Sequence, residues 1–255
     1  MRNWYDLPTY YDVSFSYDMA DELAFINNVF RKFIKSDKPK ILEPACGTGR
    51  LLIPLIKKGF DCTGFDLNKN ALTYLKHKLE KNSLHANIKY DDMINFSSRK
   101  KYDGIYCTVD TFRHILSEKS AIQHLENITK VLKKNGIYIL GLHLIPKKKK
   151  VDKVIKWTSK RGRLTVKTIM SMIKLDKKKR RETLEVQLKI KRDKSTDSYT
   201  SKYSLRTYTL EQLLSTLDKI IDLEIINIYD EYYNISKPIT LNSNSDYAVL
   251  LLRKK

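Results

Sequence analysis

The chain has 255 residues of which 42% are apolar, enough to bury a substantial core and to exclude wholesale disorder. Its longest apolar runs, 137–145 and 247–252, are too short to span a bilayer, and residues 1–12 carry acids and tyrosines where a secretory leader needs continuous apolar residues. The formal charge of +20 is uneven: residues 147–207 hold 22 Lys or Arg against 6 Asp or Glu, and the rest of the chain holds 27 against 23, so the excess belongs to one segment.

In chain order, Leu23, Ile26, Phe30, Phe33 and Ile34 recur at helical spacing and predict an amphipathic helix over 18–35. A short strand over 40–43 runs into Pro44-Ala-Cys-Gly-Thr-Gly49, and a helix follows over 51–58, with Pro54 tolerable near its first turns. A second strand covers 60–66, and Asn68 caps a helix that lines up Leu72, Leu75 and Leu79. Strands follow at 87–90 and 102–109. Ser117 caps a helix that turns Ile122, Leu125, Ile128 and Leu132 inward and stops at Asn135-Gly136, before a fifth strand at 136–144.

That β-α rhythm predicts an α/β, Rossmann-like, seven-stranded, mostly parallel sheet with helices on both faces. After Pro146 the rhythm breaks. Runs at 164–175, 183–191 and 200–208, within a stretch from about 153 to 207, alternate with period two, as Leu184, Val186, Leu188 and Ile190 do. They predict an antiparallel β insertion after the fifth strand. Thr209 to Gln212 reads as a capping box, and strands at 223–229 and 247–253 close the pattern. Three parts result: an N-terminal cap and Rossmann-like core at 1–146, a basic insertion at 147–207 and the remainder of the core at 208–255.

Cys46, Cys62 and Cys107 are odd in number, lack CxxC spacing and sit in apolar surroundings, as buried free thiols of a reducing compartment would. The five histidines show neither HxxxH nor HExxH spacing, so no metal is expected. A cytoplasmic location and no membrane partner follow as expectations.

The strongest site signal is Ile41 to Arg50, a strand that runs through small residues into a helix. A nicotinamide fingerprint reads GxGxxG, whereas the glycines here follow the line Glu43-x-Ala45-x-Gly47-x-Gly49. Asp66 ends the next strand, nineteen residues after Gly47, where a carboxylate can accept both hydroxyls of a ribose. Asp92 and Met93 end the third strand, suited to the amino group and face of adenine. All three elements fall at the carboxyl ends of successive strands.

These residues resemble the class I methyltransferase superfamily, and more narrowly its small-molecule methyltransferase-like branch. Leu42 to Arg50 looks like its cofactor loop, Gly64 to Asn68 its ribose-binding strand end, Tyr102 to Thr111 its fourth strand, and Leu132 to Gly136 the turn before the fifth. Two positions depart from the pattern: Ala45 stands where many members have glycine, and Asn135 precedes Gly136 where two glycines are common. The resemblance implies S-adenosyl-L-methionine as cofactor. Glu43, Ala45, Gly47 and Gly49 would then lie along its methionine part, Asp66 and Leu67 at the ribose, Asp92 and Met93 at the adenine, and Thr108 at the end of the fourth strand. Tyr11, from an N-terminal segment folded over the cofactor, would complete the set.

His114, which follows the fourth strand with Asp110 and Arg113, and His143, at the end of the fifth, are the candidate general bases. The expected reaction is methyl transfer to nitrogen or oxygen of a small acceptor, an anionic one being drawn by the insertion, in a monomer or homodimer. A nucleic-acid acceptor, with phosphates on the insertion and bases stacked on Tyr199, Tyr203 and Tyr208, is the alternative; a non-catalytic cofactor-binding module is the third reading.

Overall fold

A computed structural model describes residues 3–15, 19–148, 154–193 and 195–255. Eleven strands and six helices are described: α1 (Pro8–Phe15), α2 (Ala20–Phe33), β1 (Lys40–Pro44), α3 (Leu52–Lys57), β2 (Asp61–Asp66), α4 (Lys69–Lys81), β3 (Asn87–Tyr90) and β4 (Tyr102–Cys107) come first. Then follow α5 (Glu118–Val131), β5 (Leu132–His143), β6 (Val154–Arg161), β7 (Leu164–Asp176), β8 (Arg181–Arg192), β9 (Ser195–Arg206), α6 (Leu210–Leu217), β10 (Leu223–Tyr229) and β11 (Tyr247–Lys254). Two 3-10 turns, Trp4–Asp6 and Thr111–His114, complete the list.

Seven strands form one sheet in the order β10-β11-β5-β4-β1-β2-β3, parallel except for β11, which runs antiparallel to both neighbours. The central strands are apolar on both sides because both sides are covered. In β5, Ile137 and Ile139 face the layer that holds Phe25, Phe30 and Leu75 of α2 and α4, whereas Tyr138 and Leu140 face Leu125 and Ile128 of α5 and Leu213 of α6. The order reverses between β1 and β4, the crevice where open α/β sheets bind ligands.

The expected caps form: the Asn68 side chain accepts from the Ala71 amide, Ser117 from Ser120, and Thr209 and Gln212 close a reciprocal box. One boundary differs. The helix α5 stops at Val131, and β5 begins at Leu132 rather than Gly136. Asn135 takes a left-handed φ of 60° inside β5, and the pairing with β4 shifts register between Tyr102 and Gly104. The Asn-Gly pair therefore forms an irregularity within the strand instead of a turn before it. The expected helix at 18–35 occupies 20–33, with Asp18 outside the described residues.

The insertion is a second sheet, β6-β7-β8-β9, antiparallel throughout. Its first strand, β6, escaped the sequence pattern because Val154 to Arg161 is largely exposed and mixes Lys, Thr and Ser with few apolar residues; residues 151–153 lie outside the described set. One face packs on the N-terminal segment in a separate core of Trp4, Leu7, Val13, Leu164, Val166, Val186, Leu188 and Ile190. Among the described residues no helix is long and apolar enough to cross a membrane.

Candidate functional site

The loop after β1 is built by backbone shape. Ala45, Gly47 and Gly49 all take left-handed φ values, 54°, 52° and 73°. Glycine is required at 49, where a Cβ would stand 2.3 Å from Leu75 Cδ1 of α4. At Gly47 the nearest atom to an added Cβ is Asp66 Oδ2, 3.9 Å away, so this edge of the loop faces open space. The Gly47 amide donates to Asp66 Oδ2 at 2.8 Å and the Asn68 amide to Asp66 Oδ1 at 2.7 Å, which joins the loop to the tip of β2. Burial raises the Asp66 carboxyl above its ordinary range, against these amides.

Glu43 accepts a 2.7 Å hydrogen bond from the Tyr106 hydroxyl, and burial, partly opposed by Tyr106 and Arg50, pushes its carboxyl up to about 8. Arg50 pairs with Glu22 Oε2 of α2 at 2.5 Å, while Glu22 Oε1 and the Thr48 hydroxyl are buried with no hydrogen-bond partner. A protonated acid, a carboxylate oxygen and a hydroxyl left unmatched suit a ligand that carries positive charge and hydrogen-bond donors. Above these groups lies α1. Burial lifts the Tyr11 hydroxyl to about 12, against the pull of Arg50, with Asp66, Glu43 and Asp12 also acting on it. Asp12, 3% exposed, ties α1 down through Lys78 of α4 (2.8 Å) and Arg161 of β6 (2.8 Å).

At the tip of β3, Asp92 spends Oδ1 on the Ile94 amide (2.9 Å) and Oδ2 on the Asn95 side chain (3.1 Å), so its carboxylate shapes its own turn. Met93 is partly buried against the core, and its carbonyl is hydrogen-bonded to His124 Nδ1 at 2.7 Å. Leu67 and Tyr90 are exposed at the tips of β2 and β3, an uncovered apolar rim beside Asp66.

Thr108 is buried at the end of β4, and Val109 and Asp110 after it both take left-handed φ values, 50° and 67°. Two such non-glycine residues in succession store strain of about 1–3 kcal/mol each and persist where the surroundings over-determine them. Here Asp110 Oδ1 accepts the His143 amide and Oδ2 the His143 Nδ1–H, both at 2.8 Å, and Arg113 Nη1 lies 3.0 Å from Oδ1. Against the effect of burial, Arg113 and His143 hold the Asp110 carboxyl well below the usual range. His143 is 54% exposed at its side chain, stands edge-on to Tyr247 at 4.7 Å, and is raised by Asp110 in spite of the desolvation that opposes its charge.

The two candidate bases therefore sit differently. His114 is half-buried, hydrogen-bonded through Nε2 to the Tyr5 hydroxyl at 3.1 Å and stacked on Tyr203 at 5.7 Å. Burial lowers it to about 4, so it is neutral and weakly basic at neutral pH. Sequence reasoning missed Tyr106, Glu22 and Tyr247. The place of Tyr106 follows from the strand register: Leu42 pairs with Ile105, which sets Tyr106 beside Glu43. The three tyrosines that a nucleic-acid acceptor would use for stacking meet other parts of the chain. Tyr203 stacks inward on Trp4 and His114, Tyr199 meets Tyr10, and Tyr208 is fully buried. The three cysteines are free and buried.

Comparison with known proteins gives relatives of the same fold. A family model described as a methyltransferase domain matches residues 41–136, which run from β1 into β5. A Geobacillus sp. (strain WCH70) protein named as a methyltransferase is 26% identical over 120 residues, 47% of this chain and 49% of its own length. The match thus spans about half of that relative. Two solved structures cover the whole chain. An S-adenosylmethionine-dependent methyltransferase from Clostridium acetobutylicum ATCC 824 superposes with a TM-score of 0.80 at 18% identity, over 99% of each chain. The S-adenosylmethionine-bound amino pentose methyltransferase CalS10 from Micromonospora echinaspora gives 0.74 at 14% identity, over 100% of this chain and 98% of its own. At such identities the likeness shows the fold.

Proposed function

We propose that the chain is a class I, Rossmann-like S-adenosylmethionine-dependent methyltransferase that moves a methyl group onto a nitrogen or oxygen atom of a small acceptor. The observation that carries the reading is the junction of Gly47 and Asp66 at 2.8 Å beside Glu43, an acid that burial keeps protonated until about pH 8. S-adenosyl-L-methionine supplies a methyl group already activated on a sulfonium. Glu43, Thr48 and the free oxygen of Glu22 receive the cationic, donor-rich methionine end, and Asp66 has lone pairs left for ribose hydroxyls. Asp92, Met93, Leu67 and Tyr90 bound the adenine side.

The chain then has two tasks, to align the acceptor and to take its proton. Alignment alone accounts for much of the acceleration of an in-line displacement. For the proton, His143 is better placed than His114. Its Nδ1–H is held by Asp110, which leaves Nε2 as the free, basic nitrogen at the open end of β5. His114 lines the acceptor side with Tyr5, Tyr11 and Tyr203 and excludes water there. A small acceptor accords with CalS10, an amino pentose methyltransferase alike in fold along its whole length.

The test is calorimetry with S-adenosylmethionine and S-adenosylhomocysteine. Wild type binds both, and Asp66→Ala loses at least tenfold in affinity because it removes the ribose acceptor and the anchor of the Gly47 amide together. Absence of binding by wild type overturns the reading.

A further inference from the structure

Behind the His143–Asp110 pair lies a buried chain of charges that reaches into the insertion. Arg113, 3% exposed, sends Nη1 to Asp110 at 3.0 Å, Nη2 to the Glu182 carboxylate of β8, and Nε to the Arg206 carbonyl of β9 at 3.0 Å. Glu182 is itself 5% exposed. The series is His143, Asp110, Arg113, Glu182. Its signs alternate, and each neighbouring pair is in contact.

One carboxylate would be enough to neutralise Arg113, and burying a second costs free energy unless something uses it. With His143 neutral, the chain carries two negative charges and one positive; with His143 protonated, it is balanced. Remove Glu182, and protonation of His143 instead leaves a cluster with an excess positive charge. Tyr247, edge-on to His143, adds no charge of its own. Tyr247 of β11 and Tyr233 beyond it are hydrogen-bonded to each other at 2.9 Å, and burial raises both phenols, so they stay neutral. Arg206 directs its own charge away, to Glu118 at 2.7 Å.

We propose that Glu182 is a positioning residue of the reaction: acting through Arg113, it fixes Asp110 against His143 and supplies the negative charge that lets the imidazole accept the acceptor's proton. The proposal rests on His143 as the base, and it makes the insertion part of the active site, with β8 contributing a charge that the Rossmann-like sheet lacks.

The test reads His143 directly, by proton NMR titration of its ring, identified among five histidines by the resonance missing in His143→Gln. In Glu182→Gln the midpoint falls by on the order of half a pH unit. In the Glu182→Gln/Arg113→Gln variant, which removes both members of the most buried ion pair together and leaves Asp110 with His143 as its partner, it rises above wild type because the nearer positive charge is gone. A His143 midpoint that stays at the wild-type value in the folded variants overturns the proposal. Failure of the methyltransferase reading itself would show elsewhere, as wild type that binds no S-adenosylhomocysteine in calorimetry.

Discussion

At Ala45 the backbone takes a φ of 54°, a region that costs a residue with a Cβ about 1–2 kcal/mol, in the very loop where Gly47 and Gly49 take the same shape without penalty. Ala45→Gly removes that strain and adds the larger unfolded-state entropy of glycine, two terms of similar size. The expected outcome is a melting temperature within a few degrees of wild type, in contrast to the loss that a glycine brings to an ordinary strand end; a thermal melt decides. Glu43 makes the opposite kind of prediction. Its folded pKa of about 8 lies above the ordinary 4.5, so its protonated form favours the fold at low pH and that stability drains away as pH rises from about 4.5 through 8. Without cofactor, Glu43→Gln should therefore melt several degrees above wild type at pH 9, an advantage that shrinks toward pH 5. With cofactor, wild type should release up to one proton at pH 7 as Glu43 ionises beside a cation, and calorimetry in buffers of different ionisation enthalpy should show the release vanish in Glu43→Gln.

Among the elements, α1 is held by apolar packing, by Ser14 and by one buried acid. Asp12 collects Lys78 from α4, Arg161 from β6 and the Tyr74 hydroxyl at 3.2 Å, and so clamps the N-terminal segment between the core and the insertion. Asp12→Asn keeps the shape and loses the charge. It should leave the half-buried Lys78 and the exposed Arg161 short of a partner, expose residues 3–15 to limited proteolysis, and weaken S-adenosylhomocysteine binding several-fold in calorimetry. Sequence reading reached the elements whose cause is local. The caps at Asn68, Ser117 and Thr209 and the apolar strands β1, β2, β4 and β5 follow from neighbouring residues. Elements whose cause is distant were out of reach. The strand β6 is ordered by pairing with β7 rather than by its own alternation, and Asn135 bends because β4 and β5 must realign around it. The site divides along the same line. The loop, Asp66 and Asp92 were legible as strand ends, whereas Glu22, Tyr247 and Glu182 come from other elements and acquire meaning only when the fold closes.

In the whole molecule, the charge excess of residues 147–207 resolves into two faces of the four-stranded sheet. The face toward α1 is apolar; the other presents Lys156, Lys160, Lys167, Lys189 and Lys191, all exposed. Those lysines stand apart from the cofactor loop. The triple substitution Lys156→Glu/Lys167→Glu/Lys189→Glu should leave S-adenosylhomocysteine affinity within twofold of wild type while it lowers the salt concentration at which the protein leaves an anionic column. A shift of transfer RNA in a gel that survives 0.2 M salt would instead favour the nucleic-acid acceptor.

The strand order has a kinetic consequence. Within the seven-stranded sheet β10 has β11 as its sole partner, and β11 joins β5 across roughly a hundred residues that include the whole insertion. As the polypeptide emerges from the ribosome, β5 must wait with a bare apolar flank until residues 247–254 arrive to dock, and β10 has nowhere to attach before then. Chaperone capture and misassembly should accordingly concentrate in that interval, and pulse-chase protease resistance should rise in one late step as β11 is added.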